Sequence, residues 1–396
     1  MSYRYLLDIA LILLSTKLLS LLTRKFNLPQ VVGALLAGVI MGPAMLNILH
    51  ETEFIKQMAE LGVIVLMFTA GMESSLDDLK KSGKASIIIA SFGVIVPLVG
   101  GTIVAYFFNN GQLTNVNMTL QNIFIGIILT ATSVSITVET LKELGKLTTR
   151  AGNAILGAAI IDDILGILAL TIVTSLADPS VSIGICILKI LLFFVFAVIV
   201  GHIVHILFDK WTLKYNVDKR RFVIAAFAIC LSFSFVAEQF FGVADITGAF
   251  IAGLIFSQNN ESSYMMSRFE TVSYMLLSPM FFASIGIGIS ISSIDISTFI
   301  FTILLTVVAI LTKIIGCGLG AKLCKYSNKE VLQIGTGMIS RGEVALIVAS
   351  KGLDLGLMSN YFIGPVIIMV IITTIVTPVF LKIVFNDKSK IVKLNM

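Results

Sequence analysis

Apolar runs of about 17 to 25 residues follow one another along the whole chain, the length at which a helix crosses the hydrocarbon layer of a bilayer. Short basic, polar or Gly/Pro-bearing turns separate them. The pattern predicts about thirteen transmembrane spans, near 5–23, 28–47, 57–73, 84–108, 121–140, 149–176, 182–208, 221–240, 243–258, 271–290, 297–321, 331–351 and 360–384. The fold class is therefore an all-α polytopic membrane protein. The opening run, from about Leu6 to Leu22, has a weak basic flank and no small-residue cleavage site, so it is read as a retained span and not as a signal peptide.

Composition agrees with that reading. Of 396 residues, 57% are hydrophobic and only 13% charged, against roughly 25% charged in a soluble domain. No stretch between spans is long enough for a soluble catalytic or regulatory domain, so residues 1–396 are expected to form a single integral membrane transporter domain whose function takes place within the bilayer. The net charge of +5 reflects topology rather than a nucleic-acid partner. One face collects Arg24, Lys25, Lys80, Lys81, Lys84, Lys142, Lys146, Arg150 and the basic residues of every later odd-numbered loop and of the C-terminal tail, while the other holds only Arg4, Lys56 and Lys351. One span added or removed would transfer all later loops to the opposite side and destroy the asymmetry. The positive-inside rule then places the N-terminus outside and the C-terminus in the cytoplasm, with the protein in the cytoplasmic membrane.

The second and ninth spans share a motif. Phe26 to Gly38 and Phe241 to Gly253 each begin with Phe and contain Gly-Ala-x-x-Ala-Gly, at Gly33–Gly38 and Gly248–Gly253. Elements seven spans apart enter the membrane in opposite directions. The expected organisation is a first inverted repeat of six helices over 1–176, a linker helix over 177–218 and a second inverted repeat over 219–396, an architecture common among secondary transporters. Small residues at this spacing also serve close helix packing; the position in the span count favours the repeat.

Charges inside spans carry the chemistry, because an ionisable group in hydrocarbon costs several kcal/mol unless it is neutralised, paired or wetted. Asp162 and Asp163 stand side by side in the sixth span, and two such carboxylates point to a site that handles cations or protons. Adjacent helical residues diverge by about 100°, so one aspartate is expected to pair with a buried cation while the other meets the pathway. Lys313, deep in span 11, is the candidate partner. Leu129 to Ser135 in span 5 is rich in hydroxyls, and Gly335 to Glu343 in span 12 holds three glycines with Arg341 and Glu343. Both are expected helix breaks of the kind that line transporter sites. Arg341, Glu343 and Glu139 are read as neutralising the broken helix ends.

Other polar residues carry less. Cys186, Cys230, Cys317 and Cys324 are scattered without CxxC or histidine company and are read as packing residues; His50, His202 and His205 form no ligand cluster. Lys17 and Lys189 lie close enough to span ends to snorkel. Glu60, Glu73, Glu238 and Asp245 are assigned to the interfaces. Gly316, Gly318 and Gly320 lack the spacing and the preceding strand of a dinucleotide fingerprint.

Taken together, the Gly33 to Gly42 stretch, Ala131-Thr132-Ser133 followed by Leu141 to Gly145, Asp162-Asp163, Lys313 and Ser340-Arg341-Gly342-Glu343 resemble the monovalent cation:proton antiporter 2 family over essentially the whole chain. The resemblance is to its short, GerN-like spore-germination branch, which ends without a nucleotide-binding tail. It implies the sodium/proton-antiporter fold, with two crossing broken helices, in a homodimer whose core bundle, spans 4–6 and 11–13, moves against a scaffold. It implies transported Na+ and H+ and no bound cofactor. Cation and proton binding would fall to Asp163, Asp162, Thr132 and Ser133, with Asp163 meeting the transported ion, Asp162 bridged to Lys313 and Thr132 at the crossing. Relatives with Asp-Asp are generally electrogenic Na+/H+ exchangers, whereas potassium-efflux relatives carry Gln-Asp. The missing cytoplasmic domain argues against nucleotide or glutathione gating, though K+ remains an acceptable cation in the GerN-like branch.

Three rivals are distinguishable. A sodium-coupled symporter of an anionic solute shares the architecture but moves no proton against sodium. An intramembrane aspartyl protease needs carboxylates converging from separate elements to share a proton, which neighbours on one helix do not do. A passive channel conducts without proton coupling.

Overall fold

A computed structural model describes residues 3–25, 29–109, 117–177, 183–214, 219–288, 296–354 and 356–386. All regular structure among them is helical. The chain runs through α1 (Arg4–Lys25), α2 (Gln30–Met41), α3 (Glu53–Glu73), α4 (Leu76–Phe108), α5 (Met118–Ile128), α6 (Val134–Glu143), α7 (Arg150–Ala177), α8 (Ile183–Lys214) and α9 (Arg220–Phe241). It continues as α10 (Asp245–Ser257), α11 (Ser262–Val272), a π-helical turn at Ser273–Leu277, α12 (Ser278–Ile287), α13 (Ile296–Leu323), α14 (Asn328–Gly337), α15 (Glu343–Asp354) and α16 (Ile363–Phe385). Phe26, Asn27 and Leu28 of the first motif and the basic tail beyond Asn386 lie outside the described residues.

Nine helices among the described residues are long and apolar enough to cross a membrane, and the protein is a multi-pass membrane protein. Each predicted span overlaps one helix or a pair of shorter helices. The departures have local causes. The predicted span 28–47 is helical only over Gln30–Met41. Pro43 follows, has no N–H to donate and forces the residue before it out of the helical region; Gly42 is accordingly extended, at φ −78° and ψ −176°. Predicted spans 121–140 and 331–351 are each split in two, at the hydroxyl-rich and glycine-rich stretches read as break points. The helix through the first half of the chain runs long, short, long, long, broken, long, and α9 to α16 repeat that order.

Close glycine contacts sort the helices into two bodies. A Cβ on Gly38 would come within 2.1 Å of the Ala283 carbonyl, and one on Gly71 within 2.2 Å of that of Phe250, which ties α2 and α3 to α12 and α10. In the second body a Cβ on Gly126 would lie 2.3 Å from the Leu98 carbonyl and one on Gly316 2.6 Å from that of Phe92, which ties α5 and α13 to α4. Backbones this close require glycine. No glycine contact of this kind joins α2, α3, α10 and α12 to α4–α7 and α13–α16 among the described residues; side chains make the joint. The helix α8 between the two halves exposes Ile185, Leu188, Leu191, Val195, Val198 and Leu207. In water such a surface would be an aggregation site; in a bilayer it suits contact with lipid tails.

Candidate ion site

The two broken helices meet at their breaks. Residues 129–133 separate α5 from α6, and 338–342 separate α14 from α15. The Ser133 N–H donates to the Ser340 carbonyl at 2.7 Å, and the Thr137 hydroxyl donates to the Gly337 carbonyl at 2.8 Å. Local sequence explains the unwinding: Thr130, Thr132, Ser133 and Ser135 offer side-chain hydrogen bonds that compete with helix. At Gly342 an added Cβ would stand 2.7 Å from the Ser133 hydroxyl oxygen, so glycine is what lets the second strand pass.

Unwinding inside a membrane frees carbonyls that water does not reach, and one side chain collects them. Arg341 is fully buried. Its guanidinium donates to the carbonyls of Leu129 at 2.7 Å, Ala309 at 3.1 Å and Met338 at 3.4 Å, and to that of Ile339. It thus serves the C-terminal ends of both α5 and α14, where the helix dipoles are negative, together with a mid-helix carbonyl of α13. The Arg341 carbonyl in turn accepts from the Thr374 hydroxyl of α16. Arg341→Met is expected to orphan these acceptors and lower stability in detergent by about 2–4 kcal/mol, read as a fall in thermal unfolding midpoint. Arg341→Lys recovers only part, because one ammonium does not span the fan of the guanidinium.

Glu139 does not share that task. No ion pair joins it to Arg341 among the described residues; it lies with Glu73, Lys142, Glu143 and Glu270 around a separate cavity. The reason is helical rise: six residues from Ser133 along α6 place Glu139 about 9 Å from the break. The Glu343 side chain lies outside what the structure describes, although its backbone opens α15.

Asp162 and Lys313 meet as expected. The Lys313 ammonium lies 2.8 and 3.0 Å from the two Asp162 oxygens, and relative exposure is 2% for Asp162 and 0% for Lys313. At that depth an isolated charge would not persist, so each neutralises the other. Gly93 of α4 lies against the pair at ordinary contact distance, an added Cβ standing 3.6 Å from Asp162 Oδ1 and 3.7 Å from Lys313 Nζ; the close approach there is to Cys317, whose Sγ would lie 2.6 Å away. Asp163 is only half-buried and turns about 100° away around α7. The Thr132 hydroxyl lies beside the Asp162 carboxylate without a hydrogen bond of ordinary geometry, and the Ser340 hydroxyl and Arg341 Nε are likewise buried without a partner. Ser133 is less available, since its hydroxyl lies 3.2 Å from that of Ser135. Oxygen donors of this kind suit a hard monovalent cation stripped of part of its water.

The sequence reading placed Ser340 in a helix break but gave it no role, and it missed Thr374, whose contact with the Arg341 carbonyl joins elements remote in the chain and leaves no local signal.

Crossing half-helices beside a neutralised acid–base pair and a second acid define a secondary transporter, not an enzyme. The chain matches the transmembrane sodium/hydrogen exchanger family over residues 10–387 and belongs to that family. It is 39% identical over 394 residues to the Na(+)/H(+)-K(+) antiporter GerN of Bacillus cereus, covering 99% of each chain. It is 37% identical to the Na(+)/H(+) antiporter of Enterococcus hirae, over 94% of this chain and 96% of that protein. Its fold resembles that of the sodium proton antiporter MjNhaP1 of Methanocaldococcus jannaschii, with a TM-score of 0.68, 19% identity and 94% of each chain covered.

Proposed function

We propose that the protein exchanges Na+, and with it Li+, for H+ across the cytoplasmic membrane by alternating access, the two ions competing for Asp163. K+ is the further candidate cation, as the name of the Bacillus cereus relative suggests. The observation that carries this reading is the commitment of Lys313 to Asp162, one residue along α7 from a second, less buried carboxylate and next to the crossing. Asp162 contributes structure and field; Asp163 takes the ion, with Thr132 lining the approach.

The architecture supporting it counts each broken pair, and the α11–α12 pair, as one span. That gives the thirteen spans of two inverted repeats joined by α8, with the N-terminus outside, the C-terminus in the cytoplasm and α4–α7 with α13–α16 as the moving body. A homodimer through the other body is part of the same reading. Desolvation disfavours a bare carboxylate, so Asp163 crosses between sides only when neutralised by a cation or by a proton. Exchange follows without covalent chemistry.

Reconstitution into liposomes with imposed Na+, Li+ or K+ gradients tests this directly. Lumenal pH is expected to move opposite to Na+ and Li+ with no organic solute present. A requirement for an anionic co-substrate selects the symporter instead, and ion flux that ignores pH selects a channel. Competition at one carboxylate also fixes a titration: the apparent KM for Na+ should rise toward a limiting slope of about tenfold per unit as pH falls, by simple proton linkage, with maximal rate unchanged. A pH effect on maximal rate alone would place proton and cation at different groups.

A further inference from the structure

The cytoplasmic half-helix α6 carries the crossing at one end and two charges at the other. Its C-terminus is closed by Gly145, whose left-handed φ of +63° ends the helix with N–H bonds from Gly145 and Lys146 back to Lys142 and Leu141. Lys142 and Glu143 are thereby held at fixed positions about 100° apart. Lys142 suits a helix C-terminus, but Glu143 faces the wrong end of its own helix dipole.

Glu143 finds its compensation in the other body. Both of its oxygens accept from the N–H of Gln30, at 2.9 and 2.8 Å, and the Val31 N–H contributes as well. These are the first donors of α2, whose own N-cap residue, Pro29, supplies no side-chain acceptor. The carboxylate of one body is thus the N-cap of a helix in the other. Lys142 reaches the same body by a second route: its ammonium donates to the Thr69 hydroxyl at 3.0 Å and lies 3.8 Å from Glu73 and 3.9 Å from Glu270. A cavity of about 540 Å³ lies at this joint, with Glu139 and the Lys17–Tyr274 contact also on its wall.

We propose that Lys142 and Glu143 are positioning residues for exchange: a breakable tie that holds α6, and with it the crossing, against α2, α3 and α11, and that is released once in every transport cycle. The inference rests on the alternating-access reading above. Because glycine contacts lock helices within each body and not between them, relative motion concentrates at this joint. There, charge-assisted contacts made by side chains can be exchanged for water on the cytoplasmic side. A tie specific to one arrangement biases the population between arrangements, and its removal changes the apparent affinities of the two sides in opposite directions.

The test joins Gln30→Cys and Glu143→Cys with a short, reducible bifunctional thiol reagent in reconstituted protein, in a background where Cys186, Cys230, Cys317 and Cys324 are serine or alanine. Cross-linking is expected to stop exchange and reduction to restore it, which separates a locked transporter from a misfolded one. Undiminished exchange in fully cross-linked protein overturns the tie while leaving the antiport reading intact; absence of exchange in the unmodified parent overturns the antiport reading first. Glu143→Ala gives an independent readout. It is expected to shift the cytoplasmic and external KM for Na+ in opposite senses by roughly two- to thirtyfold, the range set by the loss of one helix cap, while Glu143→Gln, which keeps an acceptor, recovers most of the shift. KM values that stay put or move together on both sides reject the positioning role.

Discussion

Asp163→Asn is expected to reduce sodium-driven proton movement to the level of protein-free liposomes while leaving a monodisperse protein of nearly wild-type thermal stability. Asparagine has the shape of protonated aspartic acid and so imitates one loaded state permanently. The variant retains a neutral site able to pass between sides, but it neither releases a proton nor attracts a cation, and both half-reactions stop together. Stability is spared because Asp163 is half-buried and Lys313 takes its counter-charge from Asp162. Asp162→Asn should behave in the reverse order. It strands a fully buried ammonium, a loss of about 3–5 kcal/mol, so its first symptom is poor yield and early unfolding. Retained exchange in Asp163→Asn would remove that carboxylate from the ion pathway, and early unfolding of Asp163→Asn with stable Asp162→Asn would reverse the two assignments.

What could be read in the chain beforehand follows from the physics of the bilayer. Hydrocarbon imposes span length and punishes unpaired charge, so the helices, the two breaks and the Asp162–Lys313 pair were legible as apolar periodicity interrupted by costly residues. The partner of Arg341 was not. Charge counting offered Glu139, which lies elsewhere, and Glu343, whose side chain is outside the described residues; the guanidinium gathers the carbonyls of Leu129, Ala309, Met338 and Ile339. Backbone acceptors leave no mark in a sequence, because every residue has one; only the geometry of the break shows which are orphaned. Glu143 had a usable clue that charge counting hides, an acid in the last turn of a helix where a base belongs, and its answer lay at the N-terminus of α2. Glu73, assigned to the interface, likewise faces Lys142 across the joint, a contact between segments far apart in the chain.

Lys313→Met should destabilise the protein by about 3–5 kcal/mol, because it leaves the Asp162 carboxylate buried and uncompensated, with the Na+ KM of the surviving folded fraction changed little. The double variant Asp162→Asn/Lys313→Met removes both charges and keeps similar volumes, and replacement of a whole buried pair is commonly neutral or stabilising. It should therefore unfold near or above the wild-type midpoint, a strong positive coupling between two residues 2.8 Å apart. Thermal unfolding of the four proteins in one detergent reads that coupling, and a Lys313→Met variant as stable as wild type would remove the ion pair from the energetics of the fold. The double variant also separates scaffold from machinery. If it exchanges Na+ for H+ with normal KM, the pair only holds α7 against α13; if it folds well and exchange becomes insensitive to membrane voltage, the buried charges take part in coupling and not merely in holding the site.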